Sequence, residues 1–373
     1  MSKLFIAAAG AGKTTYLVQD ALKRTRQRIL FTTFTDTNTE EIQKKIYEMT
    51  GCIPSNIKVL PWFSFLLTEG VRPYQSYIIQ EKITGICLTN TQSKLYVSED
   101  KGEEYYLTED NKVLSDKLSK LAYKINEKSN GMVFQRLKKI YDVIYIDEAQ
   151  DLVGYDLEIF KALHQIGITV IMAEDPRQVT FETHMEHKNK KYRNGKLREY
   201  IKDNKLGFEI DEETLGISHR NNPQICNLAN KFFPQYKKVE SDNNRVTGHD
   251  GIFFVGETDV DDYCRIYKPA ILRYNKSTKI IDGLNLLVMN YGLSKGLTFD
   301  RTLIYPTEKL LKALFNDNYS RLTNQAKARC YVAITRAKYS VAFVIEKAEY
   351  PKFKDKFPTL CWGDKTPYED GLF

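Results

Sequence analysis

The sequence predicts an α/β protein of two domains, each built on a parallel sheet, with a small insertion in the first. Three observations carry this reading. Short apolar runs rich in β-branched residues alternate with helical periods along the chain, as when strands are joined by helical crossovers. The first such run empties into a small-residue loop and then a helix, LFIAAAGAGKTT. At 373 residues the chain has room for two or three compact domains.

Strands are predicted at 4–8, 29–34, 57–60, 143–146, 168–173, 284–289, 302–305 and 341–345. Thr37 followed by Glu40 reads as a capping box, opening a helix through Ile42 and Ile46. Between 65 and 135 the pattern changes. The tyrosine- and charge-rich LYVSEDKGEEYYLTED reads as a hairpin turning at 100–102, with a helix around 114–125 after it. The polar, acidic stretch 203–213 reads as a linker. The expected organisation is therefore a first domain over 1–64 and 136–204, an insertion over 65–135, and a second domain over 205–373.

Composition narrows the function classes. Hydrophobic residues make up 42% and aromatics 12%, too many for a disordered polyelectrolyte. Fifty-five Lys and Arg against 48 Asp and Glu leave a formal charge of +7, a mild excess that suits phosphate-bearing partners and equally suits plain solubility. No apolar run approaches the ~18 residues of a membrane span, so a cytoplasmic protein with no membrane partner is expected. Cys52, Cys87, Cys226, Cys264, Cys330 and Cys361 are scattered without a CxxC, which predicts free thiols. His184 and His187 form an HxxH with no further ligands spaced to complete a metal site.

Two motifs carry chemistry. In AAAGAGKTT the backbone N–H groups of Ala9, Gly10, Ala11 and Gly12 can surround phosphates, Lys13 can reach the β and γ groups, Thr14 can ligate Mg²⁺, and Thr15 continues the cradle. Ala7 stands where the usual pattern has its first glycine. In YDVIYIDEAQD an apolar strand empties into acids, with Asp147 as the Mg²⁺ carboxylate and Glu148 as the group that activates water. Aromatic rings near these motifs, Phe34, Trp62, Phe63 and Phe181, are candidates for stacking on bases. Trp62 and Phe63 are equally open to burial in a core.

Together, AAGAGKT and DEAQD resemble the UvrD/Rep/PcrA-type helicases and translocases of superfamily 1, and further segments resemble that family's ordered motifs. ILFTTFTDTNTEEIQKKI resembles motif Ia, MAEDPRQVTF motif III, LGISHRNNPQICNLAN motif IV, PAILRYN motif IVa, LSKGLTFDRTLIYP motif V and YVAITRAK motif VI. The resemblance implies two RecA-like P-loop NTPase domains with ATP and Mg²⁺ in the cleft between them. It makes Gln178 the γ-phosphate sensor, Arg220 and Arg336 arginine fingers, and His219 an adenine-stacking ring. DNA contacts fall to Phe34, Thr35, Phe181 and Lys295.

The chain also departs from the family pattern. Gly292 and Thr298 occupy the His and Glu slots of motif V, Asp36 replaces a common Asn in motif Ia, and Thr183 lies near the tryptophan slot of motif III. The sequence opens on the first strand without the family's upstream glutamine motif, so weak discrimination between ATP and GTP is expected. About 60 residues separate motifs IV and V, too few for the large 2B domain of full-size members.

The resemblance thus implies an ATP-dependent 3′–5′ motor on single-stranded DNA or tailed duplex, with room for a protein partner that supplies the accessory function. Two alternatives stay open. One is a DNA-stimulated ATPase subunit of a nuclease or phage-defence complex that does not unwind alone. The other is a nucleotide switch indifferent to nucleic acid.

Overall fold

The computed structural model describes residues 1–89, 91–180, 188–280 and 285–363. The chain divides into two compact units, one of Met1–Ala7 with Gly12–Thr214, the other of Ala8–Ala11 with the chain from Leu215 onward. Each is an α/β unit on a six-stranded parallel sheet.

In the first unit the strand order is Ile57–Pro61, Ile29–Thr33, Val143–Ile146, Thr169–Glu174, Lys3–Ile6 and Glu209–Asp211. Helices cover both faces of such a sheet, which is why Ile29–Thr33 and Val143–Ile146 are buried at every position. Because all strands run the same way, the loops that follow Val143–Ile146, Thr169–Glu174 and Lys3–Ile6 leave neighbouring strands at one edge. Ligands of open parallel sheets bind at that carboxyl edge. The strand Glu209–Asp211 lies within the stretch expected to be a linker. Its two acids are held by Lys3 of the adjacent strand, at 2.8 and 2.9 Å, so a polar sequence pairs as an edge strand.

The 65–135 segment shares the core of this unit. Leu118, Leu121, Ala122 and Ile125 of the helix Ser115–Lys128 pack in the same apolar cluster as Ile144 and Met172 of the sheet. No hairpin forms at 100–102. Gly102, at φ 52°, leads instead into a short helix, Glu103–Tyr106, that buries the consecutive Tyr105 and Tyr106; a strand would point them to opposite faces. The capping expectation also shifts. Thr35, not Thr37, caps the helix Asp36–Thr50, accepting the Asn38 N–H at 3.2 Å.

Trp62 lies in this core, 1% exposed, and donates its indole N–H to the buried Asp156 at 2.7 Å. Core rather than base contact is therefore this ring's environment. Trp62→Phe keeps an aromatic ring but removes one of the donors to Asp156, and unfolding stability is expected to fall by about 1–3 kcal/mol. A chemical denaturation midpoint unchanged from wild type would contradict that account.

The second unit orders its main sheet Val288–Asn290, Ala270–Arg273, Phe299–Tyr305, Ala337–Ile345, Gly251–Gly256 and Cys361–Trp362, all parallel. Ala337–Ile345 is buried at all but one position and forms its centre. Of the strand expected at 284–289, Leu284 lies outside the described residues and the observed strand is Val288–Asn290. All six cysteines are free thiols. Among the described residues no helix is long and apolar enough to cross a membrane. His184 and His187 lie outside the described residues.

His249 shows what burial does to a titratable group in this unit. Its ring lies between Phe253 and Tyr267, with centroids 3.8 and 3.7 Å away, and one ring nitrogen meets the Tyr263 hydroxyl at 2.8 Å. Burial, and then Arg301, push the imidazole down to about 4 against the pull of Asp250. An unfolded chain titrates near ~6.5, so above that pH the imidazole is neutral in both states and its contribution is fully present. As pH falls from there through 4, the unfolded state takes up the proton first and the contribution is lost. The loss is up to about 3 kcal/mol, less whatever solvent screens. Urea unfolding at pH 7 and pH 4.5 should show wild type losing more stability than His249→Phe; equal losses would refute the assignment.

Candidate nucleotide site

In the first unit the strand Lys3–Ile6 ends at Ala7, whose N–H donates to the Glu174 carbonyl at 2.7 Å. The Ala7 carbonyl in turn accepts from the Arg177 guanidinium at 3.3 Å. Gly12, at φ 74°, caps the helix Lys13–Lys23 with a left-handed backbone that disfavours other residues, and Tyr16 N–H returns to its carbonyl at 2.9 Å. The turn aims the helix N-terminus, with Lys13, Thr14 and Thr15, toward the carboxyl edge of the sheet.

There the two sequence motifs meet. The Thr14 hydroxyl donates to Asp147 Oδ2 at 2.6 Å, and Lys13 Nζ lies 3.0 Å from Glu148 Oε1. Asp147 is buried. Burial first, and then the Glu148 charge, hold its carboxyl up at about 6 against Lys13 and the Thr14 hydrogen bond. Thr14 and Asp147 together form a pair of hard oxygen donors of the kind Mg²⁺ takes, so the residues fit the ion.

Glu148 sits at φ 55°, ψ 40°, a left-handed conformation that a side-chain-bearing residue holds only when its surroundings fix it. Its N–H donates to Asp147 Oδ1 at 2.9 Å, and its carboxylate accepts from the side-chain amide of Gln150. Gln150 is itself oriented by the Asp175 N–H, which donates to its Oε1 at 3.2 Å. Asp175 then accepts the Gln178 amide at 2.9 Å and the Arg177 guanidinium at 2.9 Å. A buried polar network thus runs from Glu148 to Gln178.

Sequence reasoning missed Gln150, Asp175 and Arg177 as positioning groups, although all three lie inside the quoted motifs. It also missed Glu174. That carboxyl is fully buried and, among the described residues, has no hydrogen-bond partner; burial, then Glu199 and Asp175, push it well above the usual range.

Phe34 is half-buried with its ring edge-on to Phe63 at 5.1 Å, and Phe63 is itself largely buried. Thr35 is exposed and engaged as a helix cap. Phe181 lies outside the described residues.

In the second unit the Gly10 carbonyl accepts the His219 N–H at 3.1 Å. A Cβ on Gly10 would meet Arg220 Cβ at 2.5 Å and Ser218 Oγ at 2.7 Å, so only glycine fits beside Ala9 and Ala11 there. His219 is exposed, with Nδ1 2.7 Å from Asp242. Asn221 ties the two arginine-bearing segments together. It accepts from Ser218 Oγ at 2.9 Å and donates to the carbonyls of Thr335 and Ala337 at 2.9 and 2.7 Å, which flank Arg336. Arg336 is buried, with donors on the Val332 and Leu297 carbonyls, and Arg220 is half-buried. Lys295 is half-buried beside the buried Ser294.

No family model matches the chain. A stretch of 158 residues, 42% of the chain, is 29% identical to the RecBCD enzyme subunit RecB of Borreliella burgdorferi. The chain covers 11% of that relative's length. Among solved structures it is similar to the PRRSV helicase, with 16% identity, 94% of this chain and 53% of that one covered, and a TM-score of 0.44. It is also similar to arterivirus nonstructural protein 10 (helicase), with 14% identity, 92% and 59% covered, and a TM-score of 0.47. The same protein in complex with DNA gives 15% identity, 92% and 61% covered, and a TM-score of 0.47.

Proposed function

We propose that this chain is an ATP-hydrolysing motor of the superfamily 1 type that moves on single-stranded DNA in the 3′–5′ direction. The observation that carries the reading is the meeting of two separate motifs at one sheet edge, with Thr14 on Asp147 and Lys13 on Glu148.

Lys13 is the group for the β- and γ-phosphate oxygens, assisted by the loop backbone from Ala9 to Thr15. Thr14 and Asp147 would hold Mg²⁺, which when bound supplies neutralising charge at the phosphates. Glu148 takes the proton of the attacking water, and its left-handed backbone and the Gln150 amide fix where its carboxylate points. Gln178 reports the γ-phosphate, with Asp175 holding its amide. Arg220 and Arg336 stabilise charge on the transferring group, His219 stacks on the base, and Phe34, Thr35 and Lys295 contact the strand. Trp62 has no part in that contact.

A second reading, a motor subunit that does not unwind alone, draws on two observations. The 65–135 segment shares the core of the first unit, and the curated relative is by its name a subunit of a larger enzyme. Displacement of short and long duplexes with a 3′ or a 5′ tail, compared with ATP consumed on the same strand, tests both. ATP consumption on single strands with displacement confined to short 3′-tailed duplex supports the motor with trimmed accessories. Displacement from the 5′ tail would overturn the direction, and processive displacement of long duplex would overturn the second reading.

A further inference from the structure

The segment 188–205 carries eight Lys and Arg against Glu199 and Asp203, a net of +6 in a chain whose total is +7. The remaining sequence is therefore almost balanced, with 47 basic and 46 acidic residues.

Its structure explains how that density is displayed. Tyr192, Leu197, Tyr200 and Ile201 are buried, which turns the apolar side of the segment inward. The turn Lys190–Tyr192 is fastened to the end of the helix Leu197–Asp203, because Asp203 accepts from Lys191 at 3.2 Å and from the Tyr192 hydroxyl at 2.8 Å. Arg198 is taken up by Glu212 at 2.6 Å. Lys188, Lys190, Lys196, Lys202 and Lys205 are all exposed, and among the described residues none of them is matched with a carboxylate.

We infer that this lysine-rich segment of the first unit is a second, sequence-independent binding surface for the phosphate backbone of nucleic acid, in addition to the nucleotide site and the aromatic contacts. Five exposed ammonium groups in one short segment, none matched with a carboxylate among the described residues, favour a polyanion that releases its counterions on binding. Protein partners fit poorly, since their contact cores draw on aromatic and apolar side chains and exclude lysine, and no large apolar side chain of 188–205 is exposed. An anionic membrane surface fits poorly for the same reason, as interfacial helices bury an apolar face among the headgroups. Nucleic acid needs only the charges. The inference rests on the proposed function solely for the choice of polymer.

The test uses the full chain with Lys190, Lys196, Lys202 and Lys205 each changed to Gln, beside a control with the same four changed to Arg. A labelled mixed-sequence single strand and a duplex are titrated without nucleotide across salt, in the wild-type and Lys13→Ala backgrounds. Neutralisation is expected to lower the slope of log K against log salt by about 3, at ~0.7–0.9 per phosphate contact, and to weaken binding at low salt at least tenfold. The same change is expected in the Lys13→Ala background, while the Arg control keeps the wild-type slope. An unchanged slope and affinity would overturn the inference. So would a loss of binding to phosphatidylserine vesicles with nucleic-acid binding intact. A slope that falls on neutralisation while the unmodified chain hydrolyses no ATP would uphold the patch and reject the motor, so the two failures are separable.

Discussion

Lys13→Ala is expected to reduce ATP hydrolysis by at least about 10³-fold, because its ammonium, at the start of the helix Lys13–Lys23, is the group proposed to neutralise the β- and γ-phosphate oxygens. Its structural consequence is local. Lys13 pairs with Glu148 at 3.0 Å, and Glu148 keeps the Gln150 amide when the lysine is gone. The folded state is expected to lose roughly 1–3 kcal/mol, since one hydrogen-bonding group loses its partner, and the thermal transition is expected to stay cooperative. Steady-state turnover and a melting curve on the same preparation check both halves. Retained turnover would remove the phosphate-loop assignment.

Glu148→Gln is expected to cut hydrolysis by ~10²–10⁴-fold while nucleotide binding is largely kept, the pattern of a lost general base. The geometry favours a clean result. A glutamine side chain has the same length as the glutamate it replaces, and its carbonyl can still accept from the Gln150 amide, whose orientation is set from the other side by the Asp175 N–H. The bound nucleotide is then expected to hold the protein on single strands. Equilibrium binding of a fluorescent nucleotide beside single-turnover hydrolysis separates the two effects. If affinity collapses along with rate, Glu148 is a structural partner of Lys13 and the base lies elsewhere.

Much of the candidate site's geometry was legible because its motifs are written locally. A strand, a small-residue loop and a Lys-Thr pair occupy consecutive positions, and so do an apolar strand and its acids. The structure adds the distance between them, 2.6 Å from Thr14 to Asp147, which no local pattern contains. Gln150 was legible only as a letter of DEAQD. Its role comes from an N–H on another strand's loop, Asp175, 25 positions away.

The fold was read well where strands are buried on both faces, as at Val143–Ile146, since a short continuous apolar run is what a strand covered on both sides requires. It was misread where a partner decides. Glu209–Asp211 looks like a linker until Lys3 is placed beside its acids, and Tyr105 with Tyr106 looks like a strand until both rings turn out to be buried. Thr37 carries the capping-box pattern with Glu40, and only the backbone turn at Thr35 puts the cap two residues earlier. Trp62 could be placed in neither core nor contact face from sequence, because the buried acceptor for its N–H, Asp156, lies 94 positions away.

The central claim is that nucleotide hydrolysis at Lys13, Asp147 and Glu148 is coupled to a nucleic-acid track. The most direct measurement is the steady-state ATP hydrolysis rate with Mg²⁺ in the absence of DNA, with mixed-sequence single strands, and with blunt duplex, at several salt concentrations. The account predicts a low basal rate, a strong rise with single strands that fades as salt increases, and little response to blunt duplex. A rate that is the same under all three conditions would contradict it and leave a nucleotide switch indifferent to nucleic acid.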